Sequence, residues 1–345
     1  MMSGSSTRSS SIPTLMKLAG LVFTVASLAF AAVLVIRHGG ELAQQWADLR
    51  EAGWRPRPAW LLAALAVATA NLFLLGGAWI RLLRELGGRI GYIEGMRVWT
   101  WTNLGRYLPG KVWQLSALTL YLREKRQIGG IGLGSNVALQ VLLLAIGAAV
   151  AFAVLGLRLA EGRQALTIAA LVITALALTV ALRPPTVARV STWMGRLMGE
   201  PDVAVHPRRT ALWEAAGIVT LSWFVNGLSL WFLWRGVGAA TGPNPWFWTG
   251  AFAAAYLTGY VALFAPAGLV VREVSLATVL VALGGVGGAA AAGIAILARL
   301  LAVASELAAA GLAQLLPAGA PHEADPPPDT TAGPDVIERE RKTLS

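Results

Sequence analysis

The stretch Tyr92–Leu122, YIEGMRVWTWTNLGRYLPGKVWQLSALTLYL, decides how this chain folds. It is apolar enough to enter a bilayer, yet Gly105-Arg106-Tyr107-Leu108-Pro109-Gly110-Lys111 interrupts it midway. One straight helix of that length would overshoot a hydrocarbon core of about 30 Å, while two crossings would need about 20 residues each. Two half-helices joined at Gly105, Pro109 and Gly110 satisfy the arithmetic, as a re-entrant hairpin that returns to the side it left. Backbone broken at membrane depth survives only where it faces protein or a water-filled cavity. The break therefore predicts a cavity.

A second apolar stretch, Trp246–Gly284, is broken in the same way at Phe264-Ala265-Pro266-Ala267-Gly268, with Pro266 and Gly268 as its break residues. It is longer, so it admits either a second hairpin or two short spans. Outside these two stretches lie six uninterrupted runs long enough to cross: Leu15–Ile36, Ala59–Leu83, Ile131–Leu157, Gln164–Leu182, Arg209–Trp234 and Gly288–Leu316. The first exceeds the roughly 7–15 apolar residues of a cleavable signal sequence and reads as a retained span. The expected fold is all-α: a polytopic integral membrane protein of about six full spans plus two re-entrant hairpins.

Composition agrees. Of 345 residues, 56% are hydrophobic and 13% charged, with a mean hydropathy of +0.62, far above what a soluble domain requires. Residues 1–14 and 317–345 are polar, and the tail with Pro326-Pro327-Pro328 reads as disordered. The membrane domain is 15–316. Glu41–Leu49 and Val187–Met198 have apolar residues at helical spacing and suit the membrane surface.

The net charge of +10 would suggest nucleic acid in a soluble protein, but here the basic residues sit in short loops and set orientation. Fourteen Lys and Arg flank the spans on one side against seven on the other, which predicts both termini in the cytoplasm of a cell membrane. No nucleic acid partner is expected. Cysteine is absent, so neither disulfides nor thiolate metal sites contribute.

Pro109 and Pro266 are 157 positions apart, and the same shift carries Ile131 to Gly288 and Ala59 into the Arg209–Trp234 run. Span, hairpin, span thus recurs, as 59–157 and 209–316. Three crossings separate the copies, so the second is expected upside down. Inverted repeats with paired broken helices mark the midplane binding sites of many transporters.

Ionisable groups inside apolar segments cost roughly 2.5 kcal/mol or more each and so mark function. Six stand out: Arg106, Lys111, Arg272, Glu273, Arg299 and Glu306, with a net of +2. Lys111 opens the half-helix after the first break, where unpaired N–H groups and the helix dipole favour an anion, and Trp113 stands two residues on. Arg272 and Glu273 follow the second break equivalently. Arg299 and Glu306 share one face of the last span. These residues point to an anionic headgroup, such as a lipid phosphate. Catalysis is poorly supported. His38, His206 and His322 fall in loops or the tail, no metal-ligand spacing occurs, and no Asp enters an apolar segment. No cofactor is expected, and the protein reads as a non-enzyme.

Gly105-Arg106-Tyr107-Leu108-Pro109-Gly110-Lys111-Val112-Trp113 resembles the first signature of the lysylphosphatidylglycerol synthase transmembrane-region, or flippase-like, family. Pro266-Ala267-Gly268-Leu269-Val270-Val271-Arg272-Glu273 is similar to its later Pro-Gly-Gly-x-Gly-x-Arg-Glu signature, with Ala267 and Val270 standing where the pattern has glycine. Arg299 matches an arginine its last helix often carries. The resemblance implies a translocase-like membrane region without the soluble synthase domain that well-known members add. It implies a transporter moving an anionic phospholipid or a polyprenyl-phosphate-linked lipid between leaflets. Two other readings stay open: a non-catalytic membrane partner of an envelope glycosyltransferase or lipid synthase, and a membrane-embedded transferase.

Overall fold

The computed structural model describes residues 55–107, 112–126, 128–158, 164–197, 206–239, 242–262 and 270–317. Residues 15–36 and 41–49, expected as the first span and a surface helix, lie outside them, as does the tail beyond residue 317.

Among the described residues every regular element is helical. The helices are α1 (Pro58–Glu85), α2 (Tyr92–Asn103), α3 (Val112–Arg126), α4 (Gly129–Leu155), α5 (Gln164–Ala181), α6 (Pro184–Leu197), α7 (Arg209–Gly236), α8 (Pro245–Val261), α9 (Val271–Gly284) and α10 (Gly288–Leu315). A 3-10 turn, Leu104–Tyr107, extends α2 into the first break. Among the described residues five helices, α1, α4, α5, α7 and α10, are long and apolar enough to cross a membrane, and they correspond to the second to sixth of the expected spans. The interrupted stretches resolve as pairs of shorter helices: 12 and 15 residues around the first break, 17 and 14 around the second. The apolar spacing at 187–198 forms α6, which buries Val187 and Ser191 and exposes Trp193 and Leu197.

Local chemistry fixes the ends. Asn244 caps α8, its side chain accepting from Phe247 N–H at 3.0 Å, and Pro245 takes the first-turn position that needs no donor. Gly285 closes α9 with a left-handed φ of 65°, after which Gly287 precedes α10. The Gly284–Gly288 cluster is thus a helix-ending loop.

Packing joins the two expected copies at their first spans. α1 lies along α7, and Ser229 Oγ donates to Ala64 O across that seam at 2.9 Å. Exchanging α1 with α7, α2 with α8, α3 with α9 and α4 with α10 maps the packed pairs among these eight helices onto one another. α2 on α10 matches α8 on α4, α1 on α10 matches α7 on α4, and α3 on α4 matches α9 on α10. α5 and α6 stand outside this scheme, packed on α4.

The correspondence reaches single residues. Gly76 on α1 and Gly227 on α7 are equally far from their helix starts, and each admits the half-helix beside it. A Cβ on Gly76 would lie 2.5 Å from Met96 Sδ of α2; one on Gly227 would lie 2.5 Å from Thr249 Cα of α8. Both are closer than a Cβ approaches other heavy atoms, so a side chain at either position would force its neighbour to shift.

Candidate functional site

A cavity of about 470 Å³ opens where α1, α2, α4, α7, α8, α9 and α10 converge. That volume is typical of small-molecule sites. One wall is aromatic and charged. Phe252, Tyr256 and Tyr260 rise along one face of α8, with centroids 6.4 and 6.2 Å apart in succession, and Trp223 of α7 meets Phe252 and Tyr256 edge-on at 5.8 and 5.4 Å. The Arg272 guanidinium lies 4.8 Å from the Phe252 centroid and 5.9 Å from that of Tyr256. This close approach depends on Gly259, where a Cβ would sit 2.9 Å from Arg272 Cβ.

Arg272 occupies the first turn of α9, the positive end of the helix dipole, where a cation is disfavoured. The ring faces offset that cost through their quadrupoles. Its neighbour Glu273 suits the same turn and reaches the next helix: Glu273 Oε1 stands 3.8 Å from Arg299 Nε on α10, with the side chains 19% and 14% exposed. Arg299, Ser305 and Glu306 carry the charged wall along α10.

A second wall is neutral and polar. It is formed by Asn71 of α1, Asn103 of α2, and Asn136 and Gln140 of α4, with Asn226 of α7 alongside. Asn136 and Gln140 are one helical turn apart and so share a face. Gln140 Nε2 donates to the Tyr256 hydroxyl at 3.4 Å, joining the two walls. Asn71 Oδ1 and the indole N–H groups of Trp99 and Trp223 are buried without hydrogen-bond partners among the described residues. Each such group costs about 1–3 kcal/mol when left unsatisfied.

Helix register pairs the lining residues. Counted from the helix starts, Trp99 corresponds to Phe252, Asn103 to Tyr256, Gln140 to Arg299, Asn71 to Ser222, Leu72 to Trp223 and Leu75 to Asn226, and all twelve line the cavity. Corresponding positions of the two copies therefore face one space.

Of the residues singled out from sequence, the fold brings Arg272, Arg299 and Glu306 together at the cavity, with Glu273 tied to Arg299 beside it. Gly105 and the backbone of Arg106 lie in the 3-10 turn after α2, and the backbone of Trp113 lies in the first turn of α3. The side chains of Arg106 and Trp113 lie outside the described residues, as do Pro109, Gly110, Lys111, Pro266 and Gly268 entirely. Sequence reasoning missed the amides and Tyr256. Their signal is present, since a carboxamide inside an apolar span is itself an unusual polar burial, but it is weaker than that of a charge.

Two arginines outside the cavity fasten helix ends. Arg97 of α2 donates from Nε to Ala313 O at 3.1 Å and from its guanidinium to Leu316 O at 2.5 Å, satisfying terminal carbonyls of α10. Arg158, just beyond α4, donates to Leu283 O at 3.0 Å and covers the Phe247 ring at 4.8 Å. Each thereby ties the end of one copy's last span to the broken segment of the other.

The model of the lysylphosphatidylglycerol synthase TM region matches residues 18–310, most of the chain and all of the cavity. The chain belongs to this family. It is a multi-pass integral membrane protein whose membrane region is related to those of lipid synthesis. No curated protein and no solved structure matches the chain. The family match runs across both breaks and ends inside α10, beyond the last residue that lines the cavity, Glu306.

Proposed function

We propose that this protein moves an anionic phospholipid or a polyprenyl-phosphate-linked lipid between the leaflets of a cell membrane, with both termini in the cytoplasm. The observation that carries the reading is the cavity itself, lined at corresponding positions by two copies of one helical unit, with Arg272 and Arg299 in its wall. In this reading the copies form an inverted repeat, and the short helices around each break are re-entrant hairpins meeting near the midplane. Helices of 12–17 residues fall at or below the shortest straight crossing, which supports hairpins at both breaks.

Charge balance sharpens the chemistry. Arg272 and Arg299 are offset by Glu273 and Glu306, so the net of +2 read from sequence rests on Arg106 and Lys111 beside the first break. A phosphate entering the cavity supplies the missing negative charge, between Lys111 at one hairpin and the Arg272 turn at the other. Guanidinium and helix N-terminal N–H groups are the natural donors for its oxygens. Neutral amides elsewhere in the lining hydrogen-bond the headgroup without holding it too tightly to leave.

Reconstitution into liposomes with fluorescent anionic lipids tests this. Leaflet exchange is expected with the native chain and lost with Lys111→Ala and with Arg272→Ala. Exchange unchanged in both variants overturns the mechanism.

A further inference from the structure

A second space lies outside the cavity, between α4, α5 and α7. It is a groove of about 650 Å³. Its floor is apolar, formed by Ile146, Leu178, Leu182 and Ala216, and its mouth carries Arg183, Arg209 and Trp213. Arg183 follows the end of α5 and Arg209 begins α7, so both guanidinium groups sit at helix ends, the level where phospholipid headgroups lie. Thr220 lines the inner end, eleven residues along α7 from Arg209, which is roughly 16 Å deeper at 1.5 Å per residue. The groove thus runs from headgroup level to about the middle of the hydrocarbon.

Three observations say what fills it. Neither Arg183 nor Arg209 has a carboxylate partner among the described residues, unlike Arg81 and Arg208 nearby, which pair with Glu214 and Glu85. The first turn of α7 has no side-chain cap, which leaves the positive helix end beside Arg209. Trp213 is 54% exposed at the mouth, as interfacial anchors are, and α5 turns Ile173, Leu176 and Val180 outward. Cations above an apolar trough match a phosphate above an acyl chain.

We propose that this groove binds an anionic phospholipid, its phosphate between Arg183 and Arg209 and one acyl chain along Ile146, Leu178 and Ala216. The site is separate from the central cavity. The partition between them is Trp223, whose ring packs so closely on α4 that a Cβ at Gly147 would lie 2.4 Å from it.

The native chain has no cysteine, so Thr179→Cys, in the groove, accepts a single bimane label. In phosphatidylcholine vesicles, dibrominated phosphatidylglycerol should quench that label more strongly than dibrominated phosphatidylcholine at equal mole fraction. Arg183→Gln and Arg209→Gln should each lower this preference about fivefold, the effect of roughly 1 kcal/mol per surface arginine. Arg272→Ala should leave it unchanged, which separates the groove from the transport reading. Equal quenching by the two lipids overturns the proposal, and so does a preference that survives both substitutions. Quenching by neither lipid, with the thiol introduced by Thr179→Cys cross-linking instead to a second cysteine placed in segment 15–36, also overturns it, because the chain would then fill its own groove.

Discussion

The two copies of the helical unit offer the same positions to the cavity and fill them with different chemistry. Where α2 brings Trp99 and Asn103, α8 brings Phe252 and Tyr256; where α4 brings Gln140, α10 brings Arg299. The same counting sets Trp113 and Gln114 of α3 against Arg272 and Glu273 of α9. At these paired positions the first copy carries no charge, and the second carries Arg272, Glu273 and Arg299. An architecture built twice needs only one set of helix-spacing residues repeated, while its binding chemistry is free to diverge. The comparison therefore predicts that spacing substitutions destabilise both copies, each by as much as its neighbouring atoms resist, and that charge substitutions at the paired cavity positions act in the second.

The largest effect is expected at the spacing glycines, and it also measures how alike the copies are. A Cβ on Gly227 meets the backbone N and Cα of Thr249, which cannot move without shifting α8. A Cβ on Gly76 meets Met96 Sδ and the Trp99 ring, of which the first is the flexible end of a side chain. Gly227→Ala should cost about 3 kcal/mol or more and Gly76→Ala about 1 kcal/mol, at the two ends of the range for overpacking. Thermal aggregation followed by size-exclusion chromatography in detergent reads the order. Equal losses would mean that α8 adjusts as freely as Met96 does.

Next in size is the ion pair that joins the second break to the last span. Removing one partner of a largely buried pair leaves the other uncompensated, for a cost on the order of 3 kcal/mol, while removing both together is far milder. Arg299→Met alone should thus destabilise more than Arg299→Met with Glu273→Gln. Gln140→Leu at the corresponding position of the other copy should cost about 1 kcal/mol, the value of one neutral hydrogen bond. A double variant no better than Arg299→Met would place the partner of Glu273 elsewhere.

These contrasts explain what was legible in the sequence. Span positions were, because a run of 18 or more apolar residues has few alternatives once water is excluded: the described spans begin within two residues of expectation at Pro58, Gly129, Gln164, Arg209 and Gly288. The cations after the second break were legible too, since a charge in an apolar segment stands out alone. The neutral wall was not. Asn71, Asn103 and Asn136 lie on three different helices, and nothing in their spacing says that they meet; only the docking of α1, α2 and α4 does that. The single offset of 157 was likewise too rigid, because the loops differ in length between the copies. The helix starts pair Pro58 with Arg209 and Gly129 with Gly288 at different separations, and residue correspondence becomes visible only helix by helix.

The smallest effect concerns the residue that opens α9. Val270 stands where the family's pattern has glycine, and it has φ 69° and ψ −49°, the region of the rarer, strained γ-turn. A β-branched side chain there is strained by about 1–3 kcal/mol, although the side chain itself is 69% exposed and meets little. Val270→Gly relieves the strain but adds roughly 1 kcal/mol of unfolded-state entropy, so a net gain of about 1 kcal/mol is expected. The gain should appear as a higher midpoint of thermal inactivation. The same substitution loosens the turn that aims Arg272 at Phe252 and Tyr256, so the rate of leaflet exchange should shift along with stability. Lys111 holds the corresponding position before α3, and its replacement by glycine removes a cation proposed to meet the phosphate. Val270→Gly is therefore expected to stabilise the protein with exchange retained, and Lys111→Gly to abolish exchange. If Val270→Gly abolished exchange as completely as Lys111→Gly, the strained turn itself would belong to the transport machinery, and the first copy would not be alone in needing its break residue.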